Sequence, residues 1–132
     1  MIPEEAPAKP ESRSILIVED DSDLRQALSE VLRDEGYSVA MAADGREALD
    51  RLRRDLRPSL ILLDLTMPVM NGWQFRAEQR QDPALSAIPV VVLSAGEHLA
   101  EQMIPLGIDD YVPKPIELAH LLQTIERYCS QG

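Results

Sequence analysis

Short runs of consecutive apolar residues alternate along the chain with segments in which apolar residues recur every three or four positions. The continuous runs, which are typical of strands buried on both faces of a sheet, cover 15–18, 60–63 and 89–93. Two further strands are predicted, one over 37–42 and a short last one over 110–112. The pattern therefore predicts five strands.

The segments with helical spacing lie between these strands and after the last of them. Predicted helices run from Leu24 to a stop at Gly36, over 46–54, from about Trp73 to Gln81, and over about 97–104. In the final helix five apolar residues share one face: Leu118, Leu121, Leu122, Ile125 and Cys129. Strands and helices that alternate in this way predict an α/β fold, a doubly wound five-stranded parallel sheet with helices on both faces.

The chain has 132 residues, enough for one domain with a single core. Its first residues contain three prolines among charged side chains and show no hydrophobic periodicity. We therefore predict a flexible tail over 1–13 and the folded domain over 14–130. No segment approaches the ~20 continuous apolar residues of a membrane helix, so no association with a membrane is expected.

Acidic residues outnumber basic ones by 23 to 13, which gives a formal net charge of -10. This negative charge would repel a phosphate backbone, so direct binding of nucleic acid is not expected. Cations are the expected ligands. The chain has one cysteine, Cys129, and the N-terminus lacks the pattern of a signal peptide. Both observations favour a cytoplasmic location.

Chemically active side chains stand at the carboxyl ends of the predicted strands, the edge at which doubly wound sheets bind ligands. In chain order they are Glu19, Asp20, Asp21, Asp64, Ser94 and Lys114. Converging carboxylates repel one another unless a cation neutralises them, and without clustered His or Cys the ligands are hard oxygens. Mg²⁺ is therefore the expected metal. For Asp21, capping of the first helix is the favoured role.

Asp64 is the candidate nucleophile toward phosphorus, because a carboxylate can form an aspartyl phosphate. Lys114 and Mg²⁺ would neutralise the phosphoryl oxygens, and Ser94 can donate a hydrogen bond to one of them. The small side chain of Ala95 leaves room for the group to enter.

Five features in this order resemble the receiver domain of two-component response regulators. They are Glu19-Asp20, Asp64 followed by Met67-Pro68 and Asn71-Gly72, Ser94-Ala95, Tyr111, and Lys114-Pro115. The resemblance implies a flavodoxin-like fold of the receiver type. It also implies a signalling module that takes a phosphoryl group from a histidine kinase or a phosphotransfer protein, with no enzyme activity beyond Mg²⁺-dependent self-phosphorylation and dephosphorylation.

The resemblance assigns roles by position. Asp64 resembles the phosphoacceptor, which is also a metal ligand, and Asp20 resembles the direct Mg²⁺ ligand. Glu19 resembles the acid that binds Mg²⁺ through water, and the backbone carbonyl of Thr66 resembles the remaining protein ligand. Lys114 resembles the phosphate-binding lysine, whose peptide bond to the following proline is cis in this family.

Ser94 and Tyr111 resemble the switch pair of the family. In that pair the hydroxyl moves toward the phosphoryl group and the aromatic side chain turns inward. The resemblance thus implies a protein-docking surface and a downstream protein partner of unknown identity. It is also compatible with a phosphorylation-dependent dimer.

The third helix departs from the family pattern. Arg76 and Gln79 stand where family members usually bury aliphatic side chains. Phe75 would then be the main anchor of this helix, and we expect the helix to be loosely packed.

Two other functions stay open from the sequence. A phosphatase of the haloacid dehalogenase type also uses an aspartate nucleophile, Mg²⁺ and a lysine, but Thr66 stands where those enzymes usually carry a second aspartate. The other alternative is a receiver-like module that binds partners without phosphorylation.

Overall fold

A computed structural model describes residues 13–54, 56–65, 67, 69–94 and 107–129, with Ser94 described by its backbone alone. The strands are β1 (Ser14–Val18), β2 (Ser38–Ala42), β3 (Leu60–Asp64), β4 (Val90–Ser94) and β5 (Asp110–Pro113). The helices of the described ranges are α1 (Ser22–Asp34), α2 (Gly45–Arg54), α3 (Gly72–Gln81) and α4 (Leu118–Cys129). Residues 1–12 of the predicted tail and the predicted helix over 97–104 lie outside the described residues.

The five strands form one parallel sheet in the order β2-β1-β3-β4-β5. The predicted doubly wound fold is thereby confirmed. The order reverses between β1 and β3, which is where sheets of this type form a crevice at the carboxyl ends of the strands. The register pairs Val18 with Leu63 and Asp64 with Leu93, so the ends of the central strands lie at one edge.

Side chains of each strand alternate between two cores, one on each face of the sheet. In β1, Leu16 and Val18 belong to the core that also contains residues of α2 and α3, including the fully buried Phe75. Ile15 and Ile17 belong to the core that α1 and α4 cover. Helices therefore cover both faces, as predicted. No helix in the described ranges is both long enough and apolar enough to span a membrane.

The expectation of a loosely packed third helix is wrong, because its unusual polar side chains are buried and hydrogen-bonded. Arg76 donates from Nη1 to Gln79 Oε1 (2.7 Å) and from Nη2 to the carbonyl of Gly107 (2.7 Å). Gln79 Nε2 donates to the carbonyls of Leu85 (3.0 Å) and Ile88 (3.1 Å). These bonds tie α3 to the loop before β4 and to the turn before β5, in place of aliphatic packing.

Gln79→Leu is expected to lower the free energy of unfolding by about 1–3 kcal/mol, although Leu suits a buried helix position. The substitution removes the acceptor of one Arg76 bond and the donor to the carbonyls of Leu85 and Ile88. Urea unfolding measures the change. Gln81→Leu, at an exposed position of the same helix, is the control and should stay within about 0.5 kcal/mol of the wild type. Equal stability of the two variants would contradict the buried network.

The apolar face predicted for the final helix is confirmed at Leu121, Ile125 and Cys129, which are buried. Leu118 does not belong to it, because 46% of its surface is exposed. Helical side chains lean toward the N-terminus of their helix, so the first residue of α4 points past the start of the helix rather than over the sheet.

Candidate functional site

Three carboxylates converge at the edge where β1 and β3 end, and we call them the acidic cluster: Glu19, Asp20 and Asp64. One carboxylate oxygen of each lies within 4.8 Å of the others. Glu19 (1% exposed) and Asp64 (5% exposed) are buried, whereas Asp20 is exposed. The topology accounts for this arrangement, because Asp64 ends β3 and Glu19 and Asp20 are the first two residues after β1. The structure therefore brings together the three acids that the sequence predicts as metal ligands.

Lys114, directly after β5, faces the two buried acids. Its Nζ lies 3.3 Å from Glu19 Oε1 and 3.7 Å from Asp64 Oδ1. The peptide bond from Lys114 to Pro115 is cis, as the resemblance implied. One amine thus faces a cluster of three carboxylates, which leaves an excess of negative charge at this edge.

The pKa of Glu19 is raised from an ordinary value of 4.5 to about 7, mainly by burial and to a smaller extent by the negative charge of Asp64. The backbone N–H of Asp21, which donates to Glu19 Oε2 at 3.2 Å, and the amine of Lys114 both act to lower this pKa. Desolvation outweighs these two favourable contacts. The protein's own groups therefore compensate only part of the negative charge of the ionised Glu19 side chain.

The raised pKa of Glu19 predicts that the metal-free protein becomes less stable as pH rises from about 4.5 to about 7. In this window the folded state binds more protons than the unfolded state, so the free energy of unfolding falls with pH, by at most about 3 kcal/mol. Urea unfolding in EDTA across this window measures the fall. Subtracting the profile of Glu19→Gln isolates the contribution of this one group, and parallel profiles for the two proteins would contradict the prediction.

The loop that carries Glu19 and Asp20 is fixed at both ends. The N–H of Glu19 donates to the carbonyl of Ala42 in β2 (3.1 Å), which continues the sheet by one residue. Asp21 caps α1, because its side chain accepts from the N–H groups of Asp23 and Leu24. The predicted capping role of Asp21 is thus confirmed, and Asp21 is not part of the acidic cluster.

The segment after Asp64 folds back tightly on β3. The N–H of Gly72 donates to the carbonyl of Leu65 (3.0 Å), and a Cβ at Gly72 would lie 2.7 Å from the Asp64 carbonyl oxygen. Asn71 and Gln74 form a capping box at the start of α3. Neither feature is predicted from the sequence above, although the spacing Asn-x-x-Gln is a known signature of a helix start.

The remaining predicted site residues are placed only in part. Ser94 ends β4 and its backbone is in register with Pro113 in β5. Tyr111 lies in β5 with 41% of its surface exposed. The side chain of Ser94, and all of Thr66 and Ala95, lie outside the described residues.

The donor set of the acidic cluster fits a hard divalent cation. All three groups are carboxylates, which suit Mg²⁺ and not the softer metals that prefer thiolates or imidazoles. Two of them are buried and share one amine, and such a site favours an additional positive charge. The residues present are therefore compatible with Mg²⁺.

The chain is similar in sequence to a known protein family and to individual known proteins. A family model described as the response regulator receiver domain matches residues 15–126. An uncharacterized 14.6 kDa protein of Leptolyngbya boryana is 35% identical over 117 residues, which are 87% of this chain and 88% of the other. The response regulator MprA of Mycolicibacterium vanbaalenii is 41% identical over 110 residues, which are 82% of this chain and 46% of MprA. The chain therefore spans about half the length of MprA.

Among solved structures, the receiver domain of a sensor histidine kinase of Pseudomonas aeruginosa is similar with a TM-score of 0.81 and 29% identity. The similarity covers 90% of this chain and 98% of that domain, which was crystallised with a magnesium ion coordinated in its active site cleft. The fold of this chain thus has a counterpart of known structure.

Proposed function

The chain belongs to the family of response regulator receiver domains, and from this premise we propose that Asp64 accepts a phosphoryl group from a histidine kinase or a phosphotransfer protein. The observation that carries the proposal is the meeting of the acidic cluster with Lys114 at the carboxyl edge of the sheet. Phosphorylation would then change a surface on which a downstream protein docks.

In the proposed reaction, a carboxylate oxygen of Asp64 attacks the phosphorus atom of a phosphohistidine on the donor protein. An O–P bond forms, the N–P bond of the donor breaks, and the leaving imidazole takes a proton from solvent. Lys114 contributes a positive charge beside the attacking carboxylate, because its Nζ lies 3.7 Å from Asp64 Oδ1. The phosphoryl group that Asp64 receives would therefore also lie close to this charge. Asp64 is the last residue of β3, which is buried along its whole length, so the sheet positions the nucleophile.

We assign the metal site to the acidic cluster, with the backbone carbonyl of Thr66 as a further ligand. Bound Mg²⁺ would neutralise negative charge on the phosphoryl oxygens. The two buried carboxylates of Glu19 and Asp64, with one amine between them, supply the negative charge that such a cation offsets. The magnesium ion in the similar Pseudomonas receiver domain supports this assignment.

We assign the switch to Ser94 and Tyr111. The hydroxyl of Ser94 would donate a hydrogen bond to a phosphoryl oxygen, and Tyr111, now 41% exposed, would turn inward. We further propose that 14–130 is the receiver domain, that 1–13 is a flexible tail, and that the protein works in the cytoplasm. The family match favours this signalling role over the phosphatase alternative.

The test is incubation of the purified protein with acetyl phosphate and Mg²⁺, followed by mass spectrometry of the intact chain. We expect a gain of one phosphoryl group, and no gain when EDTA replaces Mg²⁺. Sustained turnover of p-nitrophenyl phosphate would support the phosphatase instead. Mg²⁺ binding without phosphoryl incorporation from any donor would support a module that works without phosphorylation.

A further inference from the structure

Arg25, in α1, reaches back to the loop that carries two members of the acidic cluster. Its Nη1 donates to the backbone carbonyl of Glu19 at 2.7 Å, in a partly buried position. Hydrogen bonds from a guanidinium are shorter and stronger than those between neutral groups. Arg25 thus makes a firm contact with the main chain of the proposed metal site.

The carbonyl that Arg25 holds belongs to the peptide group between Glu19 and Asp20. Because a peptide group is planar, fixing its carbonyl also fixes its N–H and restricts where the Cα of Asp20 can lie. The backbone N–H of Glu19 is already bound to Ala42 on β2. Arg25 therefore restrains the second side of the same residue.

This restraint acts against electrostatic repulsion within the acidic cluster. Glu19 points inward and is buried, whereas Asp20 lies on the exposed side of the loop, yet their carboxylate oxygens meet within 4.8 Å. Like charges at this distance favour any rotation of the loop that separates them. A hydrogen bond to the connecting peptide opposes that rotation.

We infer that Arg25 is a positioning residue for the metal site, which holds the Glu19–Asp20 peptide so that both carboxylates face Asp64. The inference rests on the proposed function, because it concerns the same site. Residues that hydrogen-bond to metal ligands and orient them typically lower metal affinity by about 10–100-fold when they are mutated. We expect a loss at the lower end of that range for Arg25.

The direction of the change in Mg²⁺ affinity distinguishes a positioning role of Arg25 from a purely electrostatic role. A positive charge close to a cation site weakens cation binding by Coulomb repulsion, so its removal alone would strengthen Mg²⁺ binding. Removal of a positioning residue weakens it. The sign of the change in Mg²⁺ affinity therefore decides between the two roles.

Arg33 offers a matched control on the same helix. Its Nη2 donates to the backbone carbonyl of Val39 at 3.2 Å, so it is also an arginine that bonds a main-chain carbonyl of a neighbouring segment. Arg33→Met removes one charge and one such bond, as Arg25→Met does, but leaves the acidic cluster untouched. Any general effect of losing an arginine from α1 should appear in both variants.

The experiment compares the Mg²⁺ affinity of the wild type, Arg25→Met, Arg25→Lys and Arg33→Met by calorimetry. We expect about tenfold weaker binding for Arg25→Met, an intermediate value for Arg25→Lys, and wild-type affinity for Arg33→Met. In metal-free protein, the amide of Asp21, which donates to Glu19 Oε2, should exchange faster in Arg25→Met than in Arg33→Met. Arg25→Lys supplies the affinity test if Arg25→Met does not fold.

The outcomes separate this inference from the proposed function. Wild-type or tighter Mg²⁺ binding by Arg25→Met, or by Arg25→Lys in its place, overturns the positioning role and leaves the proposed function intact. Failure of the wild type itself to bind Mg²⁺ overturns the proposed metal site, and the role of Arg25 with it.

Discussion

Asp64→Asn is expected to lower phosphoryl incorporation from acetyl phosphate by at least about 10³-fold. Asparagine has almost the same size and shape as aspartate, but its amide does not attack phosphorus as a carboxylate does. The fold should survive, because the substitution removes one of two buried carboxylates that repel each other; besides burial, the negative charge of Asp64 contributes to the raised pKa of Glu19. Mass spectrometry of the intact protein after a fixed incubation with Mg²⁺ measures the loss.

Asp21→Asn is the matched control for this variant. It makes the same chemical change next to the acidic cluster, at a position where Asp21 only caps α1, and asparagine caps helices about as well as aspartate. We expect this variant to be phosphorylated like the wild type. Incorporation by Asp64→Asn at the level of Asp21→Asn would contradict the assignment of Asp64.

Gly72→Ala is expected to destabilise the protein by about 3 kcal/mol and to impair phosphorylation as well. The added Cβ would lie 2.7 Å from both the carbonyl oxygen of Asp64 and the Cα of Leu65. These are backbone atoms at the buried end of β3, so they cannot rotate away as a flexible side chain could. Alanine is intrinsically better than glycine in a helix by about 1 kcal/mol, which is too small to offset this overlap.

Gly36→Ala provides the comparison for Gly72→Ala. Gly36 has a φ of +97°, and an added Cβ would meet only Arg13 Nη2 at 3.6 Å. Alanine there should cost about 1–2 kcal/mol through backbone strain and leave phosphorylation unchanged, because Gly36 follows α1 at the opposite end of the sheet. Urea unfolding and the rate of phosphoryl incorporation measure both variants. Wild-type stability and rate for Gly72→Ala would contradict the close approach of α3 to β3.

Much of this architecture could be predicted because it depends on the simplest properties of the chain. A strand buried on both faces requires an almost continuous apolar run, and the run at 60–63 satisfies this requirement. Once the strands are parallel, their carboxyl ends meet at one edge. The meeting of Asp64 with Lys114 follows from topology, although 49 intervening residues separate them in sequence.

The features that the sequence did not predict depend on contacts between distant segments. Arg76 is polar and was expected to weaken its helix, but its burial depends on the carbonyl of Gly107, 31 residues away. The exposure of Leu118 depends on where the covering surface ends, which helical spacing does not describe. The contact of Arg25 with the Glu19 carbonyl spans six residues and follows no helical or strand period.

The most direct test of the central claim is to locate the phosphoryl group on the wild-type protein. The chain is treated with acetyl phosphate and Mg²⁺, cleaved with a protease, and its peptides are analysed by mass spectrometry. We expect one modified peptide, which contains Asp64 and loses its phosphoryl group to hydroxylamine, as an acyl phosphate does. A phosphoryl group on any other residue, or no phosphoryl group on protein that binds Mg²⁺, would contradict the assignment of Asp64 as the phosphoacceptor.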